Sequence, residues 1–253
     1  MKFVAALSLL ASTYAFTPSK VDIRANTVAL QETKADLKAI AAKANPLVNY
    51  FDPLNLGESE LWGATNEGSI GFLRQSEIKH GRVAMAAFVG YCVQSNFHFP
   101  WAQTLAGDPH PSIELSPEAQ WDAIPQAAKW QIFFVISMLE LWDECGGGGI
   151  MPHYMNGRQP GKYPSFKVFT DNVHFVLELY DPFGFNKKMS AEVKEKRLIT
   201  EINNGRLAML GIMGFIAADK VPGSVPILDA IGATKPYDGN VMIPFEGQFS
   251  YYG

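Results

Sequence analysis

The sequence predicts an all-α membrane protein with three transmembrane helices, the first and third crossed and related by a pseudo-two-fold axis. Three observations carry that expectation. The chain writes nearly the same residues twice, as "EIKHGRVAMAAFVGY" from Glu77 and as "EINNGRLAMLGIMGF" from Glu201. It lacks lysine and arginine from Phe97 through Ala128, where Asp108, Glu114, Glu118 and Asp122 stand. From Arg158 to Arg197 it then carries Arg158, Lys162, Lys167, Lys187, Lys188, Lys194, Lys196 and Arg197. Basic loops stay on the side from which a membrane protein is inserted, so this alternation fits three crossings.

The N-terminus reads as targeting sequence. Lys2, a short apolar run and the small-residue exit at Thr13-Tyr14-Ala15 make residues 1–15 a signal peptide. Phe16-Thr17-Pro18 opens a second segment, 16–45, rich in Lys, Ala, Thr and Ser, which reads as a transit-like presequence. The pair resembles the bipartite targeting of algae with complex plastids. The mature chain is expected to begin between Lys34 and Pro46, leaving residues 46–253 as one domain.

Within that domain "NPLVNYFDPLNLG" (Asn45–Gly57) is a punctuated, ordered loop. Helices are expected over Leu73–Phe97, Ile124–Trp142 and Glu192–Asp219. None is a clean run of about eighteen apolar residues, so the membrane reading leans on the charge pattern. A second Asp-Pro, in "YDPFGF" (Tyr180–Phe185), precedes the second repeat. The run Gly146–Gly149 lacks the Gly-Lys-Ser/Thr ending of a phosphate loop and reads as a flexible turn.

Composition removes several functions. The chain has 253 residues, a net charge of −4 and no basic footprint for nucleic acid. Its two cysteines, Cys92 and Cys145, form no zinc pattern and no disulfide framework. No nucleophile–base motif points to an enzyme.

Superposing the repeats pairs Glu77 with Glu201, His80 with Asn204 and Arg82 with Arg206. Gly81/Gly205, Ala84/Ala208, Ala87/Gly211 and Gly90/Gly214 also coincide. Small residues spaced by three form a ridge that lets helices approach closely. Four unpaired charges in a bilayer would cost about 10–14 kcal/mol, at roughly 2.5–3.5 kcal/mol each. Pairing Glu77 with Arg206 and Glu201 with Arg82 removes that cost, and two-fold symmetry requires both pairs together. An intrahelical Glu–Arg contact at i,i+5 has poor geometry. His80 and Asn204 lie on the same helix face as their glutamates. Asn is a poor zinc ligand and an acceptable axial ligand for magnesium, so single ligands to a magnesium held by a macrocycle fit the set best.

Glu-x-x-His/Asn-x-Arg in two related spans, with "RVAM", "RLAM" and the two Asp-Pro loops, resembles the chlorophyll-binding light-harvesting complex superfamily. "AIPQAAKWQIFFVISMLELWDE", "DKVPGSVP" and "PYDGNVMIPF" look most like chlorophyll a/c proteins, the dinoflagellate peridinin type first and the fucoxanthin-binding relatives second. The resemblance spans Asn45 to the C-terminus. It implies that Glu77, His80, Glu201, Asn204, Gln131 and Glu140 ligate chlorophyll magnesium, with Arg82 and Arg206 as ion-pair partners. It implies that the loops of Asp52, Pro53, Asp181 and Pro182 receive carotenoid end groups. The implied cofactors are chlorophyll a, chlorophyll c and carotenoids of peridinin, fucoxanthin or diadinoxanthin-like type. The implied partners are a photosystem core, I or II, other antenna subunits and thylakoid lipids. The implied place is the thylakoid of a complex plastid, with the mature N-terminus stromal and the C-terminus lumenal.

Plant relatives carry Gln seventeen residues after the third-span Glu, where this chain has Ala218, so a chlorophyll there would be absent or held through water. His98 and His174 read as loop histidines. Light harvesting is the expected role, with a photoprotective quencher of the same superfamily as the alternative and a small transporter as a remoter one.

Overall fold

The computed structural model describes residues 32–171, 189–241 and 243–246. Asp181, Pro182 and His174 lie outside them. The described residues contain helices and turns and no strand.

Helix α1 (Lys34–Ala44) starts with a capping box, in which the Thr33 side chain accepts from the Asp36 amide and the Asp36 side chain accepts from the Thr33 amide. It falls within the segment 16–45 that the sequence assigns to targeting. Here it rests on the last long helix, where Asn203 Nδ2 donates to Ala44 O at 2.9 Å and Lys43 pairs with Glu195.

Helix α2 (Asn66–Asn96) begins about two turns before the expected start, because Thr65 caps it through the Gly68 amide. Its first turn is too polar to show apolar periodicity. Helix α3 (Pro117–Asp122) has Ser116 as cap and Pro117 at its first position. Helix α4 (Gln126–Glu144) follows Pro125. Helix α5 (Ala191–Lys220) is capped by Ser190 through the Val193 amide, and helix α6 (Pro226–Ala230) closes the series.

At 31 and 30 residues, α2 and α5 extend about 45 Å each. They cross at a single point. A Cβ on Gly81 would lie 3.0 Å from Gly205 Cα, and one on Gly205 would lie 2.9 Å from Gly81 Cα. Beyond the crossing the helices diverge, so Gly90 and Gly214 face open space and bring no backbones together. The gap is filled by rings. Phe88 packs on Gly211, and Tyr91 stacks on Phe215 with centroids 4.9 Å apart.

The Gly146–Gly149 run is a defined element rather than the flexible turn expected. Its four φ angles are +60°, +71°, +75° and +90°. Successive left-handed residues are open only to glycine at low cost. A Cβ at Gly146 would sit 2.1 Å from Met151 O, and one at Gly147 would sit 2.7 Å from Pro164 Cβ. The turn reverses the chain at the end of α4 and lays the 154–164 loop against α2.

Near the other ends of α2 and α5, Tyr237 N donates to Asp219 O at 2.9 Å and Trp121 Nε1 to Pro244 O at 2.9 Å. These bonds seat the segment after α6 on α3 and α5.

Among the described residues no helix is long and apolar enough to cross a membrane. The physical reason is visible in α2 and α5, where charged residues occupy the turns around the crossing. Helix α4 is more apolar, yet its buried residues are Lys129 and Asp143, while Trp130, Phe134, Val135, Ile136, Met138 and Leu141 are exposed.

Candidate functional site

The crossing places each glutamate beside the arginine of the opposite helix. Arg206 Nε lies 2.7 Å from Glu77 Oε1, and Arg82 Nε lies 2.6 Å from Glu201 Oε1. Close backbone approach at Gly81/Gly205 makes this reach possible, since the paired side chains stand four residues before and one residue after it on each helix. The two sites are not identical. Arg74 also pairs with Glu77 Oε2 and bonds Glu32 through Nε at 3.0 Å, whereas Leu198 occupies the matching place in the second copy. Arg82 further donates to Gly161 O at 2.7 Å. Among the described residues, Glu201 Oε2 has no hydrogen-bond partner, which leaves it able to donate electron density elsewhere.

His80 and Asn204 flank the pairs on the outward face. The His80 Nδ1 lies 2.7 Å from Ser76 O, one turn earlier. That contact assigns the proton to Nδ1 and leaves the Nε2 lone pair outward, the arrangement that histidine ligands of metals adopt. The Asn204 amide is exposed and has no hydrogen-bond partner among the described residues.

On α4, Gln131 is exposed, with its amide unpartnered among the described residues. Glu140 is engaged, since its Oε2 accepts from Lys79 Nζ of α2 at 2.6 Å. Beside it lies a buried polar hub that the sequence reading missed. Asp143 accepts from Gln75 Nε2 at 2.9 Å, from Lys79 Nζ at 3.0 Å and from Arg158 Nη2 at 2.8 Å. Gln75 Oε1 accepts from the Gly161 amide at 2.6 Å. Asp143 and Arg158 side chains are fully buried, so each charge is covered by the other. No local spacing announces this hub, because its members come from α2, α4 and a loop. Arg74 was legible, three residues before Glu77 on the same face.

Asp52 of the first Asp-Pro loop organises the turn itself. Its carboxylate accepts from the amides of Leu56 at 2.9 Å and Gly57 at 2.8 Å, and from the Tyr50 hydroxyl at 2.8 Å. The Gly57 amide is the main cause that holds its pKa below the usual carboxylate value. Pro53 follows in the same exposed turn. Two cavities of about 390 and 330 Å³ open beside this loop, and both reach Glu77 and Arg74. Leu37 lines both, and Ile40 lines the larger, so α1 forms a wall of the site. His98 is a packed loop residue, with Nε2 3.0 Å from Gln120 Oε1.

Residues 34–220 match the family model described as Chlorophyll A-B binding protein. The chain belongs to this family. Among curated proteins it is 32% identical over 239 residues to a fucoxanthin-chlorophyll a-c binding protein of Trieres chinensis, covering 90% of this chain and 98% of the relative. It is 29% identical over 225 residues to fucoxanthin-chlorophyll a-c binding protein F of Phaeodactylum tricornutum, covering 87% and 96%. It is 29% identical over 195 residues to fucoxanthin-chlorophyll a-c binding protein A of Macrocystis pyrifera, covering 76% of this chain and 77% of the relative. For a chlorophyll-binding family member the donor set fits. Magnesium takes single oxygen or nitrogen donors, and His80 Nε2, Glu201 Oε2, the Asn204 amide and the Gln131 amide each present one outward. Glu77 fits with less freedom, since both its oxygens already meet arginine. Among the described residues no cluster of three or more His, Cys, Asp or Glu could hold a bare metal ion, so any magnesium would depend on a macrocycle for its other ligands.

Proposed function

We propose that this protein is a light-harvesting antenna that binds chlorophyll a, chlorophyll c and fucoxanthin-type carotenoids and passes excitation energy to a photosystem. The observation that carries the reading is the reciprocal Glu–Arg pairing at the Gly81/Gly205 contact, with unpartnered donors left on the outward faces. Family membership and the fucoxanthin-chlorophyll relatives support it. Bound chlorophyll supplies light absorption and excitation transfer. The chain supplies position. Glu77, His80, Glu201, Asn204, Gln131 and Glu140 would each hold one magnesium, Arg82 and Arg206 would balance charge, and the Asp52–Pro53 and Asp181–Pro182 loops would receive carotenoid ends.

Three membrane spans over α2, α4 and α5 form part of this proposal. The inverted burial of α4 supports it, since a helix that hides Lys129 and Asp143 and exposes its large apolar side chains suits lipid and pigment surroundings. The alternation of acidic and basic loops supports a stromal N-terminus and a lumenal C-terminus in a plastid thylakoid. Photosystem cores and other antenna subunits are the partners this role requires. The Arg74–Glu32 pair and the α1 wall of the cavities favour a mature chain that keeps α1, with cleavage upstream of Glu32.

The test is pigment extraction and fluorescence excitation on the purified full chain. Excitation into chlorophyll c and carotenoid should yield emission from chlorophyll a alone. A folded, colourless protein would exclude the reading.

A further inference from the structure

We propose that Lys79 is the counter-cation of Glu140, a positioning residue on α2 that lets this carboxylate hold a chlorophyll magnesium on α4. The inference rests on the antenna reading above and adds a third charge-balanced ligand to the two at the crossing. A carboxylate ligand set among apolar side chains is costly to bury unless an opposite charge stands beside it. Helix α4 offers no such charge. The residues three and four positions from Glu140 are Ile136, Ser137, Asp143 and Glu144, and the last two repel it.

The cation comes from the neighbouring helix. Lys79 Nζ lies 2.6 Å from Glu140 Oε2, while Oε1 has no hydrogen-bond partner among the described residues. Lys79 also approaches Asp143, but Arg158 already covers that charge with Nη2 at 2.8 Å on Oδ1 and Nη1 at 3.1 Å on the Asp143 carbonyl. Lys79 is therefore shared, with Nζ 3.0 Å from Asp143 Oδ2 and 2.6 Å from Glu140 Oε2, and Glu140 depends on it alone because Arg158 serves only Asp143. The repeat supplies a second argument. The residue matching Lys79 in the other copy is Asn203, which serves α1 by bonding Ala44 O. The two copies differ here, and the lysine stands in the copy that faces α4. As a mechanical brace the pair would matter little, because the buried Asp143–Arg158–Gln75 hub already ties α4 to α2.

The full chain, refolded in detergent with chlorophyll a, chlorophyll c and fucoxanthin, tests this by chlorophyll count per chain and by difference absorption spectra. Glu140→Ala should lose one chlorophyll. Lys79→Met should lose the same one, with a superimposable difference spectrum, and Lys79→Arg should restore it. Glu140→Gln should keep it, because a neutral amide oxygen needs no counter-charge, and Glu140→Gln combined with Lys79→Met should keep it too. A brace would fail in that double variant. A full count in Lys79→Met, or loss in the double variant, overturns the role of Lys79 while the Glu140 site stands. A full count in Glu140→Ala overturns both, and an unsubstituted chain that takes up no chlorophyll overturns the antenna reading itself.

Discussion

Arg206 of α5 places Nε 2.7 Å and Nη2 2.6 Å from one oxygen of Glu77 on α2, across the point where the helices touch. The reciprocal pair, Arg82 Nε 2.6 Å from Glu201 Oε1, stands on the other side of that contact. Arginine's planar fork can hold one oxygen from two nitrogens; at Glu77 the other oxygen goes to Arg74, whereas at Glu201 Oε2 has no hydrogen-bond partner among the described residues. In the proposed antenna role Glu201 can therefore be both ion-pair partner and ligand.

Replacing Glu201 by Ala should abolish pigmented assembly, since it removes the unpartnered oxygen and strands Arg82. A stranded charge within a bilayer costs roughly 2.5–3.5 kcal/mol. The exchange Arg82→Glu with Glu201→Arg should recover thermal stability without recovering the chlorophyll. Pigment counting and thermal melting separate the two effects. A normally pigmented Glu201→Ala complex would count against the ligand role.

Substituting Val for Gly205 should force the helices apart at their contact, because the new side chain begins 2.9 Å from Gly81 Cα. Overpacking of this kind costs about 1–3 kcal/mol. The Glu–Arg pairs would lengthen together, so loss of pigment circular dichroism on heating should start at a lower temperature for the whole complex.

Changing His80 to Phe should remove one chlorophyll per chain and leave both ion pairs in place. Its Nδ1 bond to Ser76 O involves no charged partner, so helix stability should be nearly unchanged. Chromatographic pigment ratios measure the loss, and an unchanged count would remove His80 from the ligand set.

Acidification should tighten the α3 end of the molecule. Burial, followed by the charge of Asp219, raises the Glu118 carboxyl above its ordinary 4.5, where it faces Tyr91 and Asp219 with Lys235 nearby. A raised carboxyl pKa means the folded state binds the proton more readily, so its contribution is present at low pH and fades as pH rises through the folded value. Melting followed from pH 7.5 down to pH 5 should therefore show a gain that Glu118→Gln abolishes. Fluorescence lifetimes over the same range decide between antenna and quencher, since only a quencher should shorten its lifetime on acidification.

The variant Gly147→Ala should weaken the α4 turn. It places an L side chain at φ +71°, worth about 1–2 kcal/mol, and drives its Cβ toward Pro164. Reduced resistance of the 154–164 loop to proteolysis would show it.

Much of this molecule is written locally. The repeated Glu-x-x-His/Asn-x-Arg, its glycine and the need to pair opposite charges specify two long helices and their reciprocal partners, Glu77 with Arg206 and Glu201 with Arg82. Periodicity and caps depend on neighbours within a few residues, so they can be read without coordinates. Tertiary structure decided what depends on distance in space. It made Gly81/Gly205 the close backbone contact between α2 and α5, because crossing helices diverge away from it and Gly90 and Gly214 fall outside. It gave Glu77 a second arginine and bent four glycines into a left-handed turn. It gathered Gln75, Asp143 and Arg158 into a buried hub, and it brought Lys79 to Glu140. Buried charges find partners wherever the packed chain delivers them, and that delivery belongs to the fold as a whole.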